Sequence, residues 1–145
     1  MSESNEHREM VLLMVKSLQE RYIDISVSSD IQNHSGNNYV PPIINGHRPD
    51  IIAFHNQKIL IGEAKTSKDL ESKRSEVQIR AFIKSAEQKG SSFVLGVYGQ
   101  SANHAKTILR FMSRELKVTK CQLEVFDGLD YWALSLNGEK PWHLI

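Results

Sequence analysis

The chain has 145 residues, of which 40% are hydrophobic and 24% charged, with a formal net charge of +1. These values predict one globular domain over residues 1–145. No apolar run approaches the roughly 18 residues of a membrane span, and MSESNEHRE has no apolar signal segment, so we expect a cytoplasmic protein without a membrane partner. The lone Cys121 excludes an intrachain disulfide and a cysteine-rich zinc cluster, and its setting in CQLEVF is typical of a buried thiol.

Charge is unevenly distributed along the chain. The net charge is −3 over residues 1–57, +7 over 58–120 and −3 over 121–145, and Lys and Arg outnumber Asp and Glu by 13 to 6 in the middle part. Such a basic segment is typical of a phosphate-binding surface, and it is also typical of an ordinary solvated face. Charge alone therefore does not decide between the two.

The pattern of apolar residues predicts helices alternating with short strands. In chain order, we expect a helix from about Ser4 to Arg21 capped by Ser4, a strand over 23–28, an Asn-, Ser-, Gly- and Pro-rich loop over 29–48, two hairpin strands, a helix from about Lys68 to Gln88 ended by Gly90, a strand over 92–98, a helix from Ser101 to about Lys117, and strands over 121–126 and 131–136. This order predicts an α/β fold in which helices flank a mixed central sheet.

The hairpin HRPDIIAFHNQKILIGEAK places charged residues at the ends of two apolar strands. HNQK is a turn signal, and a loop of two or four residues pairs positions whose numbers sum to 113, so Asp50 faces Glu63. Lys65 falls on the same face, because side chains alternate along a strand. The remaining positions predict that both faces are buried, one by Ile52, Phe54, Ile59 and Ile61 and the other by Ile51, Ala53, Leu60 and Ala64.

Two opposed carboxylates repel each other unless a cation lies between them. Oxygen ligands with few nitrogens suit Mg²⁺ or Mn²⁺, and the Ala64 carbonyl is a candidate further ligand. Lys65 beside the ion is a candidate to orient or deprotonate a water for attack on a phosphodiester. The alternative is a structural cluster of Asp50, Glu63 and Lys65 held by salt bridges alone.

PD at 49–50, twelve intervening residues, EAK at 63–65 and a following helix resemble the PD-(D/E)XK nuclease superfamily. The resemblance covers residues 4–98 and implies a restriction-endonuclease-like core of order α-β-β-β-α-β, here with an added helix and C-terminal strands. Within the superfamily, HREMVLLM, PDIIA and QIRAFIKSAEQKGSSFVLGV are most similar to archaeal-type Holliday junction resolvases. The specificity of so short a motif comes from its strand, turn, strand and helix context.

The resemblance implies roles for particular residues. Asp50 and Glu63 would be metal ligands, Lys65 the catalytic lysine, and Gln78 a glutamine that many relatives carry on the following helix. Gln78 borders the buried stripe of that helix, where its amide would reach the site, and the alternative is a plain helix-surface glutamine. Resolvase-like relatives have a metal-associated Glu on the first helix, but that register here belongs to His7, with Glu6 beside it. Either Glu6 or His7 is a candidate ligand or phosphate contact, and the alternative is a solvated first helical turn.

Several cations are candidates for contact with DNA. His47 and Arg48 directly precede the motif, and Lys68 and Arg74 follow it; for the first two, the alternative is a loop histidine and a surface arginine. A further row at helical spacing, opposite Ile108, Phe111 and Met112, would follow a DNA backbone or form a solvated helix face. Its members are Lys106, Arg110 and Arg114, continued by Lys117.

Together these features predict a Mg²⁺- or Mn²⁺-dependent DNA endonuclease that hydrolyses phosphodiesters with a metal-activated water. We expect it to favour junction or branched DNA, to act as a homodimer because duplex cleavage needs two sites, and to use no organic cofactor. One alternative is an inactive nuclease-fold module that binds nucleic acid or a protein. Another, a phosphate-ligand α/β enzyme, lacks a Gly-rich phosphate loop.

Overall fold

The computed structural model describes residues 4–31, 40–135 and 138–144. The helices are α1 (Asn5–Arg21), α2 (Ser67–Leu70), α3 (Lys73–Lys89) and α4 (Ala102–Glu115), with 3₁₀ turns at Gly99–Ser101 and Trp142–Leu144. The strands are β1 (Ser26–Ser29), β2 (Ile51–His55), β3 (Lys58–Ala64), β4 (Ser92–Gly96), β5 (Gln122–Phe126), β6 (Tyr131–Ser135) and β7 (Gly138–Pro141). None of these helices is long and apolar enough to cross a membrane.

The seven strands form one mixed sheet in chain order, from β1 to β7. The β3–β4 and β4–β5 pairs are parallel, and the other four pairs are antiparallel. The predicted mixed sheet with flanking helices is therefore confirmed. Because β2 runs antiparallel to β3, the start of β2 lies at the same edge as the carboxyl ends of β3, β4 and β5, and that edge is where ligands bind in open α/β sheets.

Each face of the sheet has its own apolar cluster. The stripe of α1, formed by Met10, Val11, Met14, Val15 and Leu18, covers one face. Helices α3 and α4 cover the other face, where Ile79, Phe82 and Ile83 pack against Ile61, Phe93 and Leu95. The helical spacing of these residues explains the burial, since each set lies on one side of its helix.

Two glycines let α1 approach the sheet closely. A Cβ added at Gly96 would lie 2.3 Å from Met14 Sδ, and one added at Gly62 would lie 3.3 Å from Met14 Cε. Met14 is fully buried, so it fills the space that side chains at these positions would occupy. The absence of a Cβ at Gly62 on β3 and at Gly96 on β4 therefore allows α1 to lie this close to the sheet.

The β2–β3 hairpin has the predicted register, with Ile51 opposite Gly62 and His55 opposite Lys58. Its turn consists of Asn56 and Gln57, whose φ angles of 49° and 67° are those of a two-residue type I′ loop. One expectation for the hairpin is wrong, because Phe54 is 46% exposed. The face that carries it is therefore buried only towards the charged end.

Other sequence predictions need correction. The predicted helix over 68–88 is two helices, because Ser72 caps a new helix by accepting from the Ser75 N–H. Strand β7 was not predicted. In α4 the buried side is formed by Ala102, Ala105, Lys106, Leu109 and Met112, whereas Phe111 is half exposed. Positions 32–39 of the predicted loop lie outside the described residues.

Candidate active site

Two buried carboxylates meet where β2 begins and β3 ends. Asp50 and Glu63 are 5% and 3% exposed, and the pairing rule that placed them opposite each other is confirmed. The Asp50 backbone N–H donates to Glu63 Oε1 at 3.0 Å, and the Ala64 N–H donates to Asp50 Oδ2 at 2.8 Å. Backbone hydrogen bonds across the hairpin therefore fix the orientation of both carboxylates.

Lys65 and Gln78 complete one side of the cluster. Lys65 Nζ lies 3.2 Å from Glu63 Oε2 and donates to Gln78 Oε1 at 2.5 Å, and its side chain is only 10% exposed. Gln78 lies on α3, one residue before the buried Ile79, so its amide reaches the end of β3. The sequence prediction that Gln78 reaches the site agrees with this geometry.

Helix α1 reaches the cluster from the opposite face of the sheet. His7 Nε2 lies 3.0 Å from Asp50 Oδ2, and the His7 side chain is 16% exposed. His7 shares the side of α1 that carries Met10 and Val11, because residues three and four apart lie on one helix face. Glu6 also lines the site but is exposed.

The two carboxyl groups have opposite pKa shifts. Burial raises the pKa of Glu63 well above its usual range, the Asp50 charge adds to this effect, and the Lys65 ammonium opposes it. Burial also acts to raise the pKa of Asp50, but the hydrogen bond and charge of His7 and the Ala64 N–H outweigh it and lower that pKa. Asp50 is therefore the carboxylate that holds the negative charge, and Glu63 is the one that binds a proton more readily.

The chemistry of this donor set suits a hard divalent cation. Asp50 and Glu63 supply carboxylate oxygens at one point, and a cation there would offset the burial and the Asp50 charge that raise the pKa of Glu63. No group of three or more His, Cys, Asp and Glu side chains within residues 4–31, 40–135 and 138–144 is arranged as a metal cluster. Ala64 contacts Asp50 through its backbone N–H. The role of the Ala64 carbonyl as a metal ligand stays a prediction.

The cluster lies at the bottom of an open cleft of about 990 Å³. Its walls come from the start of α1, the ends of β1 and β3, and the α2–α3 region. Among the predicted DNA-contacting residues, Arg48, Lys68 and Arg74 line the cleft and are exposed. Arg48 also donates to the Pro41 carbonyl at 2.5 Å.

His47 lies elsewhere and has a structural role. Its backbone forms an isolated bridge with Ile44, and its ring packs edge-on against Phe82 with centroids 6.3 Å apart. It is not among the residues that line the cleft. The arrangement matches the alternative interpretation, a loop histidine.

The predicted cationic row on α4 is also outside the cleft. Lys106 is 7% exposed, its Nζ lies 3.1 Å from Glu139 Oε1, and it lies 4.3 Å from the centroid of the Trp132 ring. Arg110 is partly exposed and pairs with the same Glu139, whereas Arg114 and Lys117 are exposed. The expectation of an exposed row is therefore wrong for Lys106. Lys106 and Arg110 both pair with Glu139 and so hold β7 against α4.

The cleft contains residues that the sequence did not single out. Asp30, just after β1, lines it, and the Asp30 N–H donates to the Asp50 carbonyl at 3.1 Å. Thr66 and Ser72, which cap α2 and α3, line it as well. The capping pattern of a Ser or Thr before each helix is the signal that could have located the two hydroxyls.

Comparisons with protein-family models, with curated proteins and with solved structures find no match to this chain. The candidate site therefore rests on its own geometry. That geometry comprises two buried carboxylates, a lysine, a glutamine and a histidine at the sheet edge formed by the carboxyl ends of β3, β4 and β5.

Proposed function

We propose that this protein is a divalent-metal-dependent nuclease that hydrolyses DNA phosphodiester bonds. The observation that carries the proposal is the connected set Asp50, Glu63, Lys65 and Gln78 at the bottom of an open cleft. A structural salt-bridge cluster would not require an opening of about 990 Å³ above it. The resemblance of the same residues to the PD-(D/E)XK pattern supports this interpretation.

Asp50 and Glu63 would hold Mg²⁺ or Mn²⁺ with their carboxylate oxygens. A bound ion would supply Lewis-acid stabilisation of the phosphate and a water that ionises near neutral pH. Asp50 is suited to this role because its lowered pKa keeps it ionised, and because the Ala64 N–H fixes one of its oxygens. A bound ion would favour the ionised form of Glu63 and so would act against its raised pKa.

Lys65 would act on the reacting phosphate. Its ammonium contacts both Glu63 and Gln78, and these two contacts fix its position. A positive charge fixed in a partly buried site stabilises the negative charge that develops in the transition state more effectively than a mobile one. Gln78 would position Lys65 by accepting a hydrogen bond from its ammonium.

The mouth of the cleft is suited to a phosphate backbone on one side. Lys68 and Arg74 outnumber Asp69 among the exposed charges that line the α2–α3 side, and Arg48 is exposed at the end of the loop that leads into β2. Glu6 and Asp30 give the α1–β1 side a negative charge. We therefore infer that DNA approaches from the α2–α3 side, mainly through backbone contacts.

The function is tested by cleavage of supercoiled plasmid DNA with Mg²⁺ or Mn²⁺. We expect nicked or linear product with the wild type, and a loss of about 10²-fold or more in Asp50→Asn and Lys65→Ala. Lys84→Ala, which changes an exposed lysine on α3, is the matched control and should cleave normally. Binding without cleavage by the wild type would favour the inactive nucleic-acid-binding module.

Preference for DNA shape is a finer part of the proposal. A homodimer that contacts only the backbone at two sites should cut four-way DNA in preference to linear duplex of the same sequence. Cleavage at one fixed sequence in linear duplex, with no preference for the junction, would replace the resolvase-like substrate with a sequence-specific one. Gel filtration of the same preparation gives the oligomeric state.

A further inference from the structure

A second groove lies at the edge of the sheet opposite the candidate active site. Lys58, Ser92 and Gln122, the first residues of β3, β4 and β5, line it. One part of the groove has a volume of about 420 Å³, which is within the range of about 300 to 1,000 Å³ of small-ligand cavities. A neighbouring part of about 230 Å³ shares Lys58 and Ser92 with it and continues to His55 and Asn56 at the β2–β3 turn. The two parts therefore form one elongated groove.

Aromatic side chains form a wall of this groove. The centroid of the Tyr22 ring lies 4.5 Å from that of the His55 ring and 5.9 Å from that of the Trp142 ring. All three side chains line the groove and are partly exposed. Partly exposed rings of this kind are the surfaces on which other planar rings, nucleobases included, stack.

The charges of the groove favour an anionic ligand. Among the described residues that line it, Glu124 is the only carboxylate, and it is buried. Arg21 donates to both of its oxygens and the Gln122 amide donates to one, so its charge is already paired. Lys58 and His143 are exposed, and neither forms an ion pair within residues 4–31, 40–135 and 138–144. An unpaired lysine beside a neutralised carboxylate gives the groove a net positive charge, which suits phosphate.

We propose that this groove binds a segment of single-stranded nucleic acid. The bases would stack on the aromatic wall, and Lys58 and His143 would contact the phosphates. Aromatic side chains beside unpaired cations are the combination by which proteins bind single strands without reading their sequence. The elongated shape favours a strand over a free mononucleotide, which would need only one of the two parts. The groove shares no residue with the active-site cleft, so the inference is independent of the proposed function.

Fluorescence anisotropy with a labelled oligo(dT) of about 10 nucleotides tests the proposal. The titration is made in EDTA, so Asp50→Asn should bind the strand as tightly as the wild type whether or not the cleft holds a metal ion. Lys58→Ala removes an exposed side chain, and it should reduce the slope of log affinity against log salt concentration by about 0.7. Lys84→Ala, which changes an exposed lysine outside the groove, is the matched control and should keep the wild-type slope.

Trp142→Ala gives a second measure, because loss of one stacking ring weakens single-strand binding about 5- to 150-fold. Circular dichroism verifies that this variant is folded, since Trp142 also packs against Arg21 with 4.0 Å between the guanidinium carbon and the ring centroid. No binding by the wild type, or the same affinity and salt slope in the wild type and Lys58→Ala, would overturn the proposal. Thymidine monophosphate that binds as tightly as the oligonucleotide would overturn the strand as the ligand.

Discussion

The close packing of α1 on the sheet should make Gly96→Ala destabilising. The new Cβ would lie 2.3 Å from Met14 Sδ and 3.1 Å from Met14 Cγ, so the Met14 side chain must leave its buried position. Displacing its sulfur and terminal methyl forfeits the burial of two groups at about 0.8 kcal/mol each, or about 1.6 kcal/mol. Overpacking of a core costs about 1 to 3 kcal/mol, so we expect a loss in this range.

Urea denaturation followed by circular dichroism measures this loss. Gly99→Ala is the matched control, because its new Cβ would meet only the Asp127 carbonyl at 4.0 Å. The loss of stability in Gly96→Ala depends on the size of the side chain at position 14. Met14→Ala should therefore relieve part of that loss. The double variant should be more stable than the sum of the single changes predicts by about 1 kcal/mol.

Two results would refute this reasoning. One is a Gly96→Ala variant as stable as Gly99→Ala, and the other is strict additivity with Met14→Ala.

Three further predictions concern other parts of the molecule. Glu124→Gln should cost about 3 to 5 kcal/mol in urea denaturation, because Arg21 is 4% exposed and would lose its buried bidentate partner; a loss below about 1 kcal/mol would contradict this. Gln78→Ala should lower the DNA cleavage rate about 10- to 100-fold without weakening Mn²⁺ binding, since it acts only by orienting Lys65; unchanged turnover would remove its role. Burial opposes ionisation of Glu87, but hydrogen bonds from the 119–121 segment lower its pKa to about 2, below the ordinary 4.5. Its stabilising effect is therefore full above about pH 4.5 and lost towards pH 2, so the stability gap between wild type and Glu87→Gln should close on acidification, and a constant gap would contradict it.

The sequence predicted the hairpin and its charged end well, for a local reason. Side chains alternate along a strand and the turn has two residues, so the positions of Asp50, Glu63 and Lys65 relative to one another follow from counting alone. Gln78 was predicted to reach the same point because it borders the buried stripe of α3. The contact of His7 with Asp50 joins residues 43 positions apart, and no periodicity determines it.

Prediction from the sequence was wrong where residues distant in the chain determine whether a side chain is buried. Lys106 is at a helical position that appears solvated, but Glu139 and Trp132 from the C-terminal strands enclose it. Strand β7 was not predicted because Gly138–Pro141 has no alternating apolar pattern. The division of the predicted helix over 68–88 was missed because residues 71–76 contain neither glycine nor proline, so the cap at Ser72 is not marked by a helix-breaking residue.

Calorimetric titration of Mn²⁺ into the wild type and Asp50→Asn tests the central claim most directly. Asp130→Asn, which changes an exposed aspartate in the β5–β6 turn, is the matched control. Loss of a residue that only supports a ligand weakens metal binding roughly 10- to 100-fold, so we expect at least about 100-fold for Asp50→Asn and no change for Asp130→Asn. Equal affinity in the wild type and Asp50→Asn would contradict the assignment of the buried carboxylates as a metal site.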